Sequence, residues 1–186
     1  SLHHNLFAPM HGQSKPLPNR HYYLLTVIII VAIALRCWHL GTRALWLDEV
    51  IGALFTLGKG LDAVPLGTIF PLEDLPQIFT LEPGLSCHQI TQTVATESVH
   101  PPLFFCLQYV WLSRWLPFLS DLFPSFADTR GWVWVLRSLP AIVGILGVLS
   151  IYGLGRMVKS PRVGLIAAAL MAVSPFAVYL SQEARH

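Results

Sequence analysis

The sequence predicts an all-α membrane protein with three transmembrane helices and two helices that lie parallel to the membrane surface. Of its 186 residues, 54% are hydrophobic and only 12% are charged, about half the charged fraction of a typical soluble domain. The mean hydropathy is +0.57. Three long apolar runs are separated by polar stretches, and the basic clusters at 15–20 and 156–162 fall on the same side of the arrangement that these runs define.

The charge distribution excludes a nucleic-acid-binding protein. The net charge at pH 7 is only +2, and the 12 basic residues are scattered along the chain without interleaved aromatics. The cysteines are less informative. Cys37, Cys87 and Cys106 form no CxxC pair and are odd in number, so their spacing predicts neither a zinc site nor a complete disulfide set.

The amino-terminal part consists of a tail and the first span. Residues 1–21 contain three prolines and four histidines without apolar periodicity, which predicts a mobile cytoplasmic tail. Residues 22–40 form the first span, whose β-branched centre must be helical in lipid because every backbone amide needs a local partner. Arg36 and Trp38 mark its far interface. No small-residue cleavage site follows, so we interpret this run as an anchor.

A long outer connection, residues 41–131, follows the first span. Apolar residues at helical spacing predict a surface helix near 45–58. Residues 60–99 contain four prolines and five acids but no lysine or arginine, which predicts an exposed irregular loop. The next apolar segment, 102–118, has an uncharged run of only about 13 residues, a length that fits an interfacial helix better than a span.

The remaining chain predicts two further spans joined by a basic turn. Residues 132–155 and 163–180 each contain an uncharged stretch of 18 residues, long enough to cross a bilayer. The turn between them, 156–162, contains three bases and no acid. Residues 181–186 form a polar motif after the third span.

The side of the membrane on which each loop lies depends on whether segment 102–118 crosses the bilayer. If this segment crosses the membrane, the basic tail and the basic turn face opposite sides, against the tendency of bases to stay cytoplasmic. If it lies on the surface, both basic clusters are cytoplasmic. We therefore predict three spans, with a four-span arrangement as the alternative. The polar motifs around residues 43–50, 100 and 181–186 then share the outer face.

The first candidate site residues are Asp48 and Glu49, at the start of the first surface helix. Acids at this position also cap amides and complement the helix dipole, so a purely local role is an open alternative. An outward-facing acid at a membrane interface suits general-base catalysis or cation binding. We therefore predict that both acids take part in catalysis.

Four further residues are candidates for substrate binding. His100, before Pro101-Pro102, suits phosphate positioning or metal binding, or caps the helix that follows. Arg137 contacts a lipid phosphate or simply extends toward headgroups. Glu183 and Arg185 line the site, or form an ordinary pair at a helix end.

Taken in order, these motifs carry a family resemblance. The ordered segments are LWLDE, HPPLFF, LRSLPAIVGILGV, GRMVKSPRVGLIAA and SPFAVYLSQEAR. This order closely resembles the amino-terminal part of bacterial membrane glycosyltransferases of the protein O-mannosyltransferase and aminoarabinose transferase clan. The resemblance covers about residue 22 to the end of the chain. It implies the amino-terminal part of a type-C glycosyltransferase helical bundle, with two membrane-parallel helices in the first outer loop.

The resemblance also implies a function. Such enzymes transfer a sugar from a polyprenyl-phosphate carrier to a lipid or protein acceptor at the outer side of the bacterial inner membrane, with inversion at the sugar carbon. Asp48 would be the essential acid and Glu49 a supporting one. His100 would correspond to the polar residue before the second surface helix, and Glu183 and Arg185 to residues that line the cavity. Arg137 or Arg185 would stabilise the departing phosphate.

The acids suit a divalent cation, although their spacing defines no ligand set. The expected partners are the carrier-linked sugar, its acceptor and membrane lipids, together with other membrane subunits in the alternative in which the chain is a non-catalytic subunit. Since enzymes of this family continue for many more spans, we expect the 186 residues alone to be inactive.

Overall fold

A computed structural model of the chain describes residues 19–64, 78–124 and 129–185, and the regular secondary structure within these ranges is helical, without any strand. This confirms the all-α class. The helices are α1 (Asn19–Cys37), α2 (Leu47–Thr56), α3 (Cys87–Glu97), α4 (Leu103–Leu122), α5 (Thr129–Val158), α6 (Pro161–Val173) and α7 (Pro175–Ser181), with a short 3-10 helix at Leu61–Ala63.

Two of the described helices, α1 and α5, are long and apolar enough to cross a membrane. They correspond to the first and second predicted spans. The helix α1 begins at Asn19, so the prediction that residues 19–21 belong to the tail is wrong. The rest of the predicted tail lies outside the described residues. At its other end, α1 stops at Cys37, and residues 38–40 form a turn.

The predicted third span, 163–180, is not one helix. It is divided into α6 and α7, which meet at an angle of 64° and together are long enough for one span. Ser174 is extended between them, with φ −60° and ψ 118°, and its hydroxyl accepts a hydrogen bond from Ala177 N at 3.4 Å. Pro175 causes the break because it has no N–H and disfavours a helical conformation in the residue before it.

The helix α4 has two different faces. One face is buried against the rest of the protein and includes Phe105, Gln108, Tyr109 and Leu112. The opposite face carries exposed apolar side chains, namely Leu103, Leu107, Val110, Phe118 and Leu122, and this spacing is helical with the exposed Arg114 between Val110 and Phe118. Although α4 has 20 residues, it is not among the described helices that are apolar enough to span. Its position relative to the membrane stays a prediction.

The prediction of an irregular loop over 60–99 is wrong for part of its length, because α3 lies within it. A capping box starts this helix: Ser86 N donates to Gln89 Oε1 at 2.9 Å, and Gln89 N donates to Ser86 Oγ at 3.3 Å. Ile90 and Val94 bury one face of α3 against α2 and α4. Residues 65–77 lie outside the described part of the chain.

A disulfide between Cys87 and Cys106 joins the start of α3 to α4. Cys37, which is exposed, has a free thiol. The sequence did not allow this pairing to be predicted. Together with the apolar contacts of Ile90 and Val94, the disulfide fixes α3 and α4 as one unit that packs on α2.

Three apolar clusters hold the helices together. One joins α2, α4 and α5, a second joins α2, α3 and α4, and a third joins α1, α5 and α6. The helices α5 and α6 approach each other closely: a Cβ atom built on Gly164 would lie 2.5 Å from Tyr152 O. We call the end of the bundle that contains α2 the α2 end, and the end that contains the α5–α6 turn the opposite end.

Candidate functional site

Glu49 and Arg137 form a buried ion pair at the α2 end. Glu49 is in the first turn of α2 and Arg137 is two turns into α5, 88 positions later. Arg137 Nη2 lies 2.6 Å from Glu49 Oε2, and Arg137 Nε lies 2.8 Å from Oε1. The side chains are only 4% and 0% exposed. This two-point geometry is the strongest form of an arginine–carboxylate contact.

The remaining donors of Arg137 bind the backbone between α1 and α2. Nη1 donates to Leu40 O at 3.0 Å and to Arg43 O at 2.9 Å, and Nη2 donates to Ala44 O at 3.1 Å. With the two bonds to Glu49, all five N–H groups of the guanidinium are used. Arg137 therefore fixes the α1–α2 connection on α5.

Glu49 also binds the segment that follows α7. Ala184 N donates to Glu49 Oε1 at 2.9 Å, so the segment after α7 lies against the start of α2. Gln182 reinforces this position, since its side-chain amide donates to Leu35 O at 2.8 Å and to Trp38 O at 3.1 Å. The ends of α1 and α7 and the start of α2 are thus joined at one place.

Arg185 lies at this junction between two aromatic rings. Its guanidinium carbon is 5.4 Å from the centre of the Trp46 ring and 5.9 Å from that of Tyr179. Arg185 Nε lies 3.1 Å from Glu183 Oε2, although the pair lacks hydrogen-bond alignment and leaves this oxygen without a hydrogen-bond donor. The Arg185 side chain is 31% exposed, so its guanidinium is accessible to solvent although the two rings hold it in place.

Asp48 differs from its neighbour Glu49 in every respect. It is exposed, and within the described residues it makes no hydrogen bond or ion pair. Adjacent residues of a helix point about 100° apart, so burial of Glu49 directs Asp48 away from the ion pair. The predicted acidic pair is therefore one buried structural acid and one accessible acid.

His100 lies in the linker between α3 and α4, where it is exposed. Its Nδ1 is 2.7 Å from Ser98 Oγ, which also accepts a bond from His100 N at 3.3 Å. The structure therefore brings four of the predicted residues, Glu49, Arg137, Glu183 and Arg185, into one junction with Asp48 at its edge. His100 belongs instead to a linker held by the disulfide.

Arg36 was not predicted as a site residue, yet it is fully buried near the end of α1. Its Nη1 donates to Ala172 O at 3.1 Å and Nη2 to Met171 O at 3.2 Å, while Nε has no partner. These carbonyls are in the last turn of α6, just before the break. Arg36 therefore caps α6 and positions the turn into α7. The available sequence signal was a charged residue inside a span.

Sequence reasoning also missed the aromatic residues Trp46 and Tyr179, since neither carries a signal for contact with a cation. For the expected divalent cation, the described residues contain no group of three His, Cys, Asp or Glu side chains that could hold a metal. Comparison of the chain with protein-family models, with curated proteins and with solved structures finds no match.

Proposed function

We propose that this chain carries part of the site of a membrane glycosyltransferase, which moves a sugar from a polyprenyl-phosphate carrier to a lipid or protein acceptor on the outer side of the membrane. The observation that supports this most directly is the bond between Glu49 Oε1 and Ala184 N. It joins the segment that carries the accessible acid Asp48 to the segment that carries the accessible cation Arg185. Glycosyl transfer from a phosphate carrier requires both charges near one sugar carbon.

Asp48 has the environment that a general base requires. Its carboxylate is exposed and has no partner in the described residues, so it is accessible to an acceptor hydroxyl. In the proposed step the acceptor oxygen forms a bond to the anomeric carbon and its proton passes to Asp48. The bond between that carbon and the carrier phosphate oxygen breaks, and the electron pair leaves with the phosphate.

Arg185 is suited to the charge that develops on the departing phosphate. Its guanidinium is held between Trp46 and Tyr179, so little reorganisation is needed when an anion binds. Glu183, which is mostly buried, keeps Arg185 paired before the substrate binds. A phosphate oxygen would replace or join that carboxylate at the exposed side of the guanidinium.

Glu49 and Arg137 have a different role in this proposal. Both side chains are buried and hydrogen-bonded within the protein, so neither is accessible to a substrate. They hold α2 and the segment after α7 in a fixed relation, and they are positioning residues. His100 stays a predicted substrate-binding residue, on a linker that the disulfide restrains.

Two features support an outward-facing α2 end. The Cys87–Cys106 disulfide is at this end, and disulfides persist in oxidising compartments such as the bacterial periplasm. The basic turn is at the opposite end, and basic residues in short loops tend to be retained in the cytoplasm. Arg137 and Arg156 are 19 positions apart on α5, about 28 Å, close to the thickness of the hydrocarbon core.

The catalytic role of Asp48 is tested with Asp48→Asn in the full-length protein. We expect transfer of a radiolabelled sugar from polyprenyl phosphate in isolated membranes to fall by about 10²-fold or more. Asp121→Asn, which changes an exposed acid on α4, is the matched control and should keep full activity. Undiminished transfer by Asp48→Asn would exclude this catalytic role. Absence of any transferase activity in the parent protein, with an assembly defect in the variant, would favour the non-catalytic subunit.

The orientation has its own test. In a protein with Cys37→Ser, a membrane-impermeant maleimide should label Asp121→Cys in intact cells and Lys159→Cys only after permeabilisation. Both positions are exposed in the structure. Labelling of position 159 from outside would reverse the proposed orientation.

A further inference from the structure

Four exposed bases surround the opposite end of the bundle. Arg156, Lys159 and Arg162 lie in and beside the α5–α6 turn, and Arg20 lies at the start of α1. The sequence contains no acid between Asp128 and Glu183. The ion pairs of the described residues, both at the α2 end, include none of these four bases.

The turn holds three of these bases in a defined arrangement. Lys159 N and Ser160 N each donate to Gly155 O at 3.2 Å, and Ser160 Oγ accepts a bond from Val163 N at 3.3 Å. The close approach of Gly155 and Gly164 brings the two helices together directly behind the turn. The three cations therefore occupy a short rigid segment, at every third position of the sequence.

The fourth base is brought to the same place by the residue beside it. His21 Nε2 lies 2.8 Å from the Tyr152 hydroxyl, and both side chains are buried. Tyr152 precedes Arg156 by about one helical turn. The start of α1 is thereby fixed beside the end of α5, so Arg20 lies at the same end of the bundle as the basic turn.

Exposed apolar side chains lie next to the bases. Met157 and Val158 are 85% and 75% exposed, and Leu154, one turn earlier, is 56% exposed. A surface that combines cations with exposed apolar groups matches an anionic phospholipid, which presents a phosphate headgroup above acyl chains. Free inorganic phosphate would use the cations alone.

We propose that this end of the bundle binds the headgroup of an anionic phospholipid, with Arg156, Lys159 and Arg162 on the phosphate and the neighbouring apolar side chains on the acyl chains. The site is separate from the proposed catalytic residues, which lie at the α2 end. Loss of lipid binding therefore leaves the catalytic proposal intact, and the reverse also holds.

The test measures lipid affinity of the full-length protein in detergent by native mass spectrometry, with phosphatidylglycerol and phosphatidylcholine of identical acyl chains as probes. Each base near an anionic headgroup contributes about a fivefold preference, so three contribute up to about 100-fold. The variant R156Q/K159Q/R162Q should lose most of the preference for phosphatidylglycerol. The control R43Q/R114Q/R130Q removes three exposed bases elsewhere and should keep it.

The proposal would be overturned by equal loss in both triple variants, or by an unchanged preference in R156Q/K159Q/R162Q. Displacement of the lipid by inorganic phosphate at constant ionic strength would also overturn it, because a free-phosphate site would then be present. If the triple variant does not fold, Lys159→Gln alone replaces it, with an expected loss of about fivefold. Lys159 is exposed, so this single change leaves the helix packing intact.

Discussion

The two carboxylate oxygens of Glu49 lie 2.8 Å and 2.6 Å from Nε and Nη2 of Arg137, and both side chains are excluded from solvent. This contact connects the first turn of α2 to α5. A buried pair of this kind contributes little net stability compared with well-packed apolar groups, because both charges lose their hydration. Replacing only one of the two charged side chains is costly, because the other charge is then left buried without a partner.

Glu49→Gln should therefore destabilise the protein by about 3–5 kcal/mol. The free energy of unfolding is measured by denaturant titration in detergent with tryptophan fluorescence. The exposed neighbour provides the control, and Asp48→Asn should unfold at the same denaturant concentration as wild type. If Glu49→Gln is as stable as wild type, the buried pair described above is not formed.

Arg36→Met should loosen the break between α6 and α7. The change leaves the carbonyls of Met171 and Ala172 without their donor, at about 1–3 kcal/mol for each buried acceptor. We expect lower stability and faster hydrogen exchange of the Ala177 amide, measured by mass spectrometry. Arg43→Met, at an exposed position near the same end of α1, should change neither quantity. Unchanged exchange in Arg36→Met would show that Arg36 does not position the break.

Gly164→Ala should destabilise the α5–α6 pair. The added Cβ would lie 2.5 Å from Tyr152 O and 3.1 Å from Arg156 N, so the two backbones must separate. Overpacking of this kind costs about 1–3 kcal/mol. Gly153→Ala is the matched control, because its Cβ meets no atom within 4 Å, and it should be neutral or slightly stabilising. A similar effect of both changes would contradict the close crossing.

Thiol counting should distinguish the three cysteines. Protein extracted from intact membranes and denatured without reductant should react with one maleimide, at Cys37. After reduction it should react with three. Since the disulfide closes a loop across 19 positions, replacing Cys87 and Cys106 with serine should cost about 3 kcal/mol. Cys37→Ser should not change stability. Three reactive thiols before reduction would show that the disulfide is not formed in the membrane.

The apolar runs predicted most of the helices, because burial in lipid or in a helical core requires little beyond length and hydrophobicity. The helix α3 escaped prediction since its composition is polar and rich in threonine, although Ser86 and Gln89 form a capping box that the sequence contains. The break at Ser174 escaped because a count of uncharged residues treats Pro175 like any other apolar residue. Its effect on the backbone had to be considered separately.

The sequence allowed the charged residues of the candidate site to be predicted, but not the contacts between them. Asp48, Glu49, Arg137, Glu183 and Arg185 were all singled out as charged residues beside apolar runs. Which acid is buried depends on how α2 packs on α5, and this packing has no signature in the local sequence. For the same reason, nothing near Arg185 in the chain indicated that its partner would be Trp46, the residue before α2.

The hydrogen bond from Ala184 N to Glu49 restricts substitutions at position 49 far more than at position 184. The donor is a backbone amide, which every residue except proline provides. Position 184 is 3% exposed, so its side chain is limited by space alone, and serine or glycine would keep the bond. Position 49 requires an acceptor of the correct length. The connection between α2 and the segment after α7 is therefore encoded almost entirely by one of its two partners.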